Sequence, residues 1–500
     1  MKEVKNKYET VIGLEIHAHL KTESKMFCSC ATAPKGKEYE AAKKDEPNIR
    51  VCPICTGNPG TLPVPNKKAI EDTILLGLAL SAKIPPQFNF ERKNYYYPDL
   101  PKAYQITSAT SPPVIGGSLE IDLEAGSKII ELDHIHLEED AGKLTHDKSG
   151  NFSLVDLNRA GTPLLEIITK PHISSSREAV EFMKNLQSIL RYLGISDADM
   201  EKGQMRCDAN ISVRKFGDKN LGSKVEVKNI NSFKMVAAAI DYEVRRQIDE
   251  IKAGNKIEQQ TRGWDANKGK TLPQRSKEYA NDYRYFPEPD IPPIKIGKGE
   301  AFDVQLIKEK LPELPKEKRE RFKLEYGLTD HEAHVLSVNY DTARYFEEII
   351  GHLPQITDSS EETRKLAKIT SNYIINEFLG KISELSGPYD SNISPESFSE
   401  LIDLLDKKEI TGKIAKDVLN EMIKGGKTAS KIIKEKGIKK INDSDIEKII
   451  EKVISENPKE VERYKNGEER LFGFFVGQVM RESKGQADPS IINKFLKEKI

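Results

Sequence analysis

Cysteine is scarce in this chain, with five residues in a sequence of 500. That number is too small for the disulfide scaffold of a secreted protein. Four of the five fall between positions 28 and 55, and such a cluster suits a reducing compartment and a bound metal. The cysteine content therefore predicts a cytoplasmic protein with one local thiol site.

Long apolar runs and an excess of one charge are also missing. No stretch approaches the roughly 18 apolar residues of a membrane span, and residues 1–10 are charged, unlike a signal peptide. We therefore expect no association with membranes.

Basic and acidic residues number 78 and 79, so no overall field marks a nucleic-acid binder. Any contact with RNA must depend on local patches.

The length and the residue patterns predict an α+β protein of several domains, because 500 residues exceed one ordinary core. Short alternating runs with glycines up to about residue 294 indicate a mixed, largely antiparallel sheet. Helical spacing of apolar residues begins near Val304, after the prolines of residues 287–293. A further boundary at Gly425 and Gly426 gives predicted domains at 1–295, 296–426 and 427–500.

The run VIGLEIHAHL is the most informative segment. Alternation in a strand places Ile12, Leu14, Ile16, Ala18 and Leu20 on one face, and Glu15, His17 and His19 on the other. One face is core, and the other carries a carboxylate and two imidazoles. A metal site and an ordinary solvent-facing side are both compatible with this pattern.

A second pair of strands repeats the pattern in MRCDANISVR and KVEVKN. Their predicted core residues are Met205, Cys207, Ala209, Ile211, Val213, Val225 and Val227. The opposite face carries Arg206, Asp208, Asn210, Ser212, Arg214, Lys224, Glu226 and Lys228. Such a face could hold Mg²⁺ through oxygen ligands and phosphates through its cations. The alternative is a wet sheet face laced with ion pairs.

A third source of carboxylates is HIHLEEDAGK, where Glu138, Glu139 and Asp140 precede a glycine. Neighbouring side chains of a strand point to opposite faces, so we expect at most one of Glu138 and Glu139 to face a given site unless the strand ends there. A simple acidic turn is the alternative.

The four clustered cysteines form the strongest general signal. Cys28 and Cys30 in FCSC, with Cys52 and Cys55 in VCPIC, provide two close thiol pairs that can close a tetrahedral Zn²⁺ site. Four sulfur ligands leave no open coordination position, so this zinc is predicted to be structural. Unrelated reduced thiols are the alternative.

Nucleotide binding has one candidate segment and one excluded segment. RKNYYYPDLPKAYQIT interleaves basic residues with tyrosines, a mixture that could stack a base and hold a phosphate, although aromatic loops also simply fill cores. GWDANKGKT has five residues between Gly263 and Gly269, whereas a phosphate-binding loop of the Walker type needs four. We therefore exclude that loop.

Eight strings taken together resemble the B subunits of tRNA-dependent amidotransferases (GatB), and the resemblance runs from Tyr8 almost to the end of the chain. The strings are VIGLEIHAHLKTESKMF, RKNYYYPDLPKAYQI, HLEEDAGK, DLNRAGTPLLEI, RCDANISVR, EVKNINSF, DYRYFPEPD and FFVGQVMRESKGQADP. The resemblance implies a cradle domain with the kinase and transamidase site, then a helical domain and a small YqeY-like tail that binds tRNA.

The resemblance also implies roles for individual residues. The Mg²⁺ ligands of the family fall on Glu15, His17, Glu138, Glu139 and Asp208. Lys93, Lys102 and Glu139 fall around the mouth of an ammonia channel. With the implied chemistry, Arg159 and Arg206 are candidate clamps for a transferred phosphoryl group, and the candidate ATP contacts are Tyr97, Asn210 and Lys228.

The implied reaction uses ATP and Mg²⁺ to phosphorylate the side-chain carboxylate of Glu-tRNA(Gln), Asp-tRNA(Asn) or both, after which ammonia displaces phosphate. This chain has no amidase-like Gly-Ser-rich stretch with a catalytic serine. The resemblance therefore implies a heterotrimer with an amidase A subunit and a small C subunit, and a non-discriminating aminoacyl-tRNA synthetase as a further partner. One rival is a two-subunit archaeal-type relative, which by resemblance would carry a large extra domain inserted before the helical region. The other is a non-enzymatic zinc protein that delivers tRNA.

The predicted tail carries a local basic patch. Residues 427–500 contain 17 basic and 13 acidic residues, a net charge of +4, which leaves −5 on the preceding part. Its lysines include Lys431, Lys434, Lys436, Lys439 and Lys440. A solvated helix face and a tRNA contact both fit this pattern, and the resemblance favours tRNA.

Overall fold

The α+β class is confirmed by a computed structural model of the chain. It describes residues 7–32, 46–124, 126–276, 282–354, 361–383, 385, 387–438, 443–483 and 485–500. The chain divides into two compact units, Met1–Leu314 and Pro315–Ile500. The finer division at residues 295 and 426 stays a prediction.

The first unit contains the strands. They are β1 (Tyr8–His19), β2 (Gln87–Phe88), β3 (Glu91–Asn94), β4 (Tyr104–Thr107), β5 (Val114–Ile115), β6 (Ser118–Leu123), β7 (Gly126–Glu139), β8 (Lys143–His146), β9 (Ser153–Asp156), β10 (Pro163–Thr169), β11 (Met205–Lys215), β12 (Val225–Ile230), β13 (Gln260–Asp265), β14 (Lys270–Ser276), β15 (Phe286–Pro287) and β16 (Ile294–Lys295).

Most of these strands form one 12-stranded sheet in the order β14-β13-β12-β11-β1-β10-β7-β4-β3-β15, with β5 and β6 also paired to β7. The pairing of β12 with β13 is parallel, and the other pairings of this sheet are antiparallel. The long strands β1, β7, β10 and β11 therefore lie side by side in the middle of the sheet.

Apolar side chains of these strands form the core of the first unit. The inward residues that alternation predicts in β1 and β11 are buried, with Ile12, Ile16, Cys207 and Ile211 at 0% exposure. The unit's helices are α1 (Lys67–Ala79), α2 (Ser176–Tyr192), α3 (Phe233–Lys252) and α4 (Val304–Lys308). Residues of all four helices join the same apolar cluster, so the helices pack on the apolar face of the sheet and leave its polar face uncovered by this cluster.

The second unit is helical, as the apolar spacing beyond Val304 predicts, and it contains a π-helical turn (Tyr373–Phe378) and short 3₁₀ turns (Leu379–Ile382 and Pro388–Asp390) besides its α-helices. These are α5 (Pro315–Tyr326), α6 (Asp330–Ser337), α7 (Tyr340–His352), α8 (Glu361–Asn372), α9 (Pro395–Asp406), α10 (Gly412–Gly425), α11 (Ala429–Glu435), α12 (Asp443–Glu456), α13 (Pro458–Lys465), α14 (Leu471–Glu482) and α15 (Pro489–Lys499). A cluster from Ile446 to Leu496 forms a small core of its own. No helix among the described residues is long and apolar enough to cross a membrane.

One fully buried carboxylate joins α3 to the sheet. Glu243 is 0% exposed and accepts hydrogen bonds from Thr271 Oγ1 at 2.8 Å and from Gln247 Nε2 at 3.0 Å. It also pairs with Arg246, and Gln247 donates in turn to the carbonyl of Ile211 in β11. Buried charges of this kind are costly to leave without their partners.

We predict that Glu243→Ala lowers the free energy of unfolding of the first unit by about 3 kcal/mol, because the buried Arg262 and the partly buried Arg246 both lose their counter-charge. Urea denaturation followed by the fluorescence of Trp264, the chain's one tryptophan, measures this change. Arg245→Ala, on the exposed side of α3, is the control and should change stability by less than about 0.5 kcal/mol. Equal stabilities of the two variants would contradict the assignment.

Candidate active site

The strand register aligns polar residues in rows across the sheet. His17 of β1 lies opposite Arg206 of β11 on one side and Glu166 of β10 on the other, and Glu166 lies opposite His136 of β7. Directly opposed residues of an antiparallel pair point to the same face with Cβ atoms about 5 Å apart. The register therefore makes one row, Arg206–His17–Glu166–His136, on the polar face.

Glu166 occupies the centre of this row, between two imidazoles. Its Oε2 lies 2.9 Å from His136 Nε2 and 3.5 Å from His17 Nε2. His17 Nε2 is also 3.7 Å from Glu138 and 4.0 Å from Glu15. Three carboxylates and two imidazoles thus converge within one partly buried patch.

The crowding of acids shifts the ionisation of these groups. Burial, with repulsion from Glu166, raises the pKa of Glu15 to about 7 and also raises the pKa of Glu138. Burial works against the ionised form of Glu166 as well, but contacts with His136 and His17 outweigh it and hold the pKa of Glu166 well below its usual value. In return, contacts with Glu166 and Glu138 overcome burial and raise the pKa of His17.

The patch fits a divalent cation. One candidate ligand group is Glu15, His17 and Glu166, and a second is His136, Glu138 and Glu166, each with its ligand atoms within 4.8 Å of one another. Within the described part of the chain, His17 Nδ1 and Glu138 Oε2 are buried without a hydrogen-bond partner. Such atoms are costly unless something binds them, and carboxylate oxygens are the ligands that Mg²⁺ prefers.

Asp208 lies beside this patch, opposite Glu15 in the β1–β11 pairing. Its Oδ2 accepts a hydrogen bond from Lys228 Nζ at 2.8 Å, and Lys228 also lies 3.4 Å from Glu226. Burial opposes the charge of Lys228, but Asp208 outweighs it and raises the pKa of the lysine. The neighbouring Asn210 has a buried Oδ1 without a partner among the described residues. These three predicted site residues thus lie close to Glu15, and their roles stay predictions.

Asp140, directly after β7, contacts three basic side chains. Its carboxylate lies 2.7 Å from His19 Nε2, 3.3 Å from Arg159 Nε and 3.4 Å from an Arg206 nitrogen. Burial opposes ionisation of Asp140, but His19 and the two arginines hold its pKa well below the usual range. The Arg159 and Arg206 side chains remain 42% and 47% exposed, so both can still contact an anion.

Glu139 points away from Glu138, as the strand geometry predicts for neighbouring residues. It pairs with Lys102 and accepts a hydrogen bond from the backbone N–H of Ile106 at 3.0 Å. Lys93 Nζ lies 5.2 Å from the ring centre of Tyr283. Burial opposes the charge of Lys93, but Glu138 and Glu166 outweigh it and raise its pKa. Tyr97, the predicted base contact, follows Lys93 by four residues, and it is 57% exposed.

The four cysteines form one cluster. Cys55 Sγ lies 3.9 Å from Cys52 Sγ and 4.0 Å from Cys30 Sγ, and with Cys28 the four sulfur atoms lie within 4.8 Å of one another. A tetrahedral zinc with bonds of about 2.3 Å needs sulfur atoms about 3.8 Å apart, so the cluster fits the ion. The hydrogen bond from Cys28, with help from the Cys52 backbone and the charge of Lys25, lowers the pKa of Cys55 to about 4 despite burial.

Sequence reasoning missed Glu166 and gave no role to Asp140. Glu166 lies in the run LLEII of a strand with buried residues on both faces, so alternation does not single it out. The signal that could have found it is a lone charge in an apolar strand, because such a charge must have partners. His136 belongs to the acidic string HIHLEEDAGK, but its contact with Glu166 depends on the pairing of β7 with β10.

Comparison with known proteins identifies the family. The family described as the GatB/GatE catalytic domain matches residues 10–301, and the one described as the GatB domain matches residues 355–500. The B subunit of the aspartyl/glutamyl-tRNA(Asn/Gln) amidotransferase of Thermodesulfovibrio yellowstonii is 48% identical, over 98% of each chain. Proteins of the same name from Persephonella marina and Carboxydothermus hydrogenoformans are 46% and 45% identical over at least 98% of each chain.

The chain belongs to the family of amidotransferase B subunits. The two matched regions of this family are separated by residues 302–354, which leaves no room for the large inserted domain of the archaeal-type rival. The polar face of the sheet, with Glu15, His17 and Glu166, lies inside the region matched as catalytic.

We predict that Mn²⁺, as a probe of the carboxylate patch, binds about tenfold more weakly at pH 6 than at pH 7. A ligand must lose its proton to bind a metal, and Glu15, with a pKa of about 7, is mostly protonated at pH 6. The raised pKa of His17 acts in the same direction. Calorimetric titration across pH 6 to 8 measures the effect. Glu15→Gln should bind weakly with a flatter pH profile, and equal parental affinities at pH 6 and 8 would contradict the prediction.

Proposed function

We propose that this chain activates the side-chain carboxylate of a mischarged aminoacyl-tRNA on the polar face of its sheet. A carboxylate oxygen of the substrate attacks the γ-phosphorus of ATP, which gives an acyl phosphate and ADP. The nitrogen of ammonia then attacks the acyl carbon, phosphate leaves, and the nitrogen loses a proton as the amide forms. The observation that carries the proposal is the row His17–Glu166–His136 with Glu15 and Glu138 around it.

The carboxylate patch is the proposed place for Mg²⁺. Glu15, His17, Glu138 and Glu166 would hold the ion, with Asp208 as a further ligand that the family resemblance implies. Glu139, the other ligand implied by the resemblance, points away from this patch and pairs with Lys102. When bound, Mg²⁺ offsets negative charge on the phosphoryl group during transfer. The unpartnered buried atoms of His17 and Glu138 support this assignment.

The cations beside the patch have a separate proposed role. Arg159 and Arg206 are fixed by Asp140 yet remain partly exposed, so they can bind phosphoryl oxygens without a large change in conformation. Lys228 and Asn210, which lie beside Asp208, are proposed to contact ATP. Tyr97, whose side chain is exposed, is proposed to contact the base of ATP. Lys93, and the buried pair of Lys102 with Glu139, are proposed to lie where ammonia arrives.

The proposed assembly is a heterotrimer with an amidase A subunit and a small C subunit, working in the cytoplasm. The names of the relatives include aspartyl- and glutamyl-tRNA, and we propose Asp-tRNA(Asn), Glu-tRNA(Gln) or both as substrates of this chain. A non-discriminating aminoacyl-tRNA synthetase is the proposed source of the mischarged tRNA. The four cysteines are proposed to hold a structural zinc.

We predict that Glu166→Gln abolishes tRNA-dependent release of ADP by the assembled trimer. Loss of about 4 kcal/mol of transition-state stabilisation corresponds to a factor of about 1000 in rate. The matched control is Glu131→Gln on the same sheet, whose side chain is 47% exposed and pairs with Lys170. Glu131→Gln should keep the parental rate of ADP release. Glutamine hydrolysis by the A subunit should keep its parental rate in both variants.

Near-parental ADP release by Glu166→Gln would show that the carboxylate patch is not the phosphorylation site. A parental trimer that releases no ADP with either mischarged tRNA, but binds both, would instead favour the non-enzymatic tRNA carrier. The two failures are therefore distinguishable.

The basic patch of the second unit gives a further prediction. Lys431 and Lys434 are exposed on α11, whereas Lys436 pairs with Glu421; Lys439 and Lys440 lie outside the described residues. Changing Lys431 and Lys434 to Glu should raise the KM for mischarged tRNA and reduce its salt dependence by about one unit of slope per lost phosphate contact. The control is Lys202→Glu, an exposed lysine of the first unit. If the Lys431 and Lys434 variant has the same KM as the parent at every salt concentration, these lysines are ordinary surface residues.

A further inference from the structure

Lys25 is buried in an unusual environment for a lysine. Its side chain is 0% exposed, and its ammonium donates hydrogen bonds to Cys55 Sγ at 3.6 Å and to the Leu157 carbonyl at 3.1 Å. Neither of these two acceptors is a carboxylate. A buried charge without a counter-charge is strongly unfavourable, and the cysteine cluster, which Lys25 contacts through Cys55 Sγ, can provide the negative partner.

A zinc-loaded cysteine cluster would carry the negative charge that the buried Lys25 ammonium requires. Four thiolates around one Zn²⁺ carry a net charge of −2, and a thiolate site inside a protein needs N–H donors or cations to offset that charge. The backbone N–H of Cys52 donates to Cys55 Sγ at 3.2 Å, and the Lys25 ammonium provides the full positive charge. Both donors converge on Cys55, which is itself buried.

The second hydrogen bond of Lys25 reaches the segment that carries Arg159. The Leu157 carbonyl, which accepts from Lys25, also accepts from the backbone N–H of Ala160 at 3.1 Å. Gly161 packs against Lys25, because a Cβ built at Gly161 would lie 3.3 Å from Lys25 Cδ. Its φ of +85° is also a conformation that favours glycine.

The same segment is tied to Asp140 on its other side. The backbone N–H of Gly161 donates to the Asp140 carbonyl, and the backbone N–H of Asp140 donates to the Thr162 carbonyl, each at 2.8 Å. Arg159 contacts the Asp140 carboxylate at 3.3 Å. Residues 157–162, which include Arg159, therefore contact Lys25 beside the cysteine cluster on one side and Asp140 on the other.

We propose that Lys25 is the buried counter-charge of the thiolate centre and, through the Leu157 carbonyl, positions the segment 157–162 that places Arg159 beside Asp140. The inference rests on the proposed zinc site. It makes Lys25 a positioning residue, because it contacts neither the carboxylate patch nor the arginines directly. It also gives the zinc centre a function beyond local folding, since the centre supports one edge of the candidate active site.

The first test measures zinc affinity by competition with a chelator in the full-length protein. Lys25→Met keeps the length and apolar stem of the side chain but removes its charge and donors. We expect it to bind zinc 10- to 100-fold more weakly than the parent, as is usual when a partner of metal ligands is lost. Lys21→Met is the control, because Lys21 is 63% exposed and pairs with Asp197, and its zinc affinity should equal the parental value.

The second test measures amide hydrogen exchange in the zinc-loaded proteins. Loss of Lys25 should speed exchange at least fivefold at Ala160, Gly161 and Thr162, whose N–H groups close the segment 157–162. Exchange in α2 should stay at the parental rate. A general loss of folding would instead speed exchange in both regions, so the two effects separate.

If Lys25→Met does not fold, Lys25→Leu, which is smaller and also lacks both the charge and the donor, replaces it in both tests, with the same expected results. Zinc affinity within twofold of the parent in the variant that folds would overturn the counter-charge role. Parental exchange in residues 157–162 would overturn the positioning role. Absence of zinc from the purified parent would overturn the zinc site itself. This result differs from the failures above because it is measured on the parent and not on a Lys25 variant.

Discussion

The candidate site depends on the antiparallel register that places β1 between β10 and β11. This register puts Glu166 directly opposite His17 and His136, and it puts Glu15 opposite Asp208. A shift by one residue would turn Ile16 toward the polar face and bury the acids in the core, because side chains alternate with a period of two. The same apolar residues that fix the core therefore fix the spacing of the charged ones.

The charges on the polar face are only partly balanced by the protein. The raised pKa values of Glu15 and Glu138 show that burial and mutual repulsion outweigh the compensation by nearby cations, whereas Glu166 is kept ionised by its two imidazoles. Protein groups alone thus leave a site that takes up a proton near neutral pH. A divalent cation would compensate the same repulsion, so metal binding and protonation compete for these carboxylates.

Sequence alone could predict the polar and apolar faces of β1, β11 and β12, because alternation depends only on neighbours in the chain. The two cysteine pairs were likewise visible from their spacing. The sequence could not reveal that β10 separates β1 from β7, and without that order the contacts of Glu166 stay hidden. Lys25 was also out of reach, since a lysine before a loop resembles surface and its carbonyl partner lies 132 positions further along.

The cysteine cluster and the carboxylate patch are connected by backbone as well as by charge. Asp140 has two functions at this point: its backbone pairs with Gly161 and Thr162, and its carboxylate binds His19 and Arg206. A displacement of the segment 157–162 would therefore move the aspartate that holds both arginine side chains. Surface loops ordinarily tolerate such displacements, but this one is fixed on its far side by a buried lysine and a group of thiolates. The position of the arginines thus depends on contacts that lie far from the carboxylates in sequence.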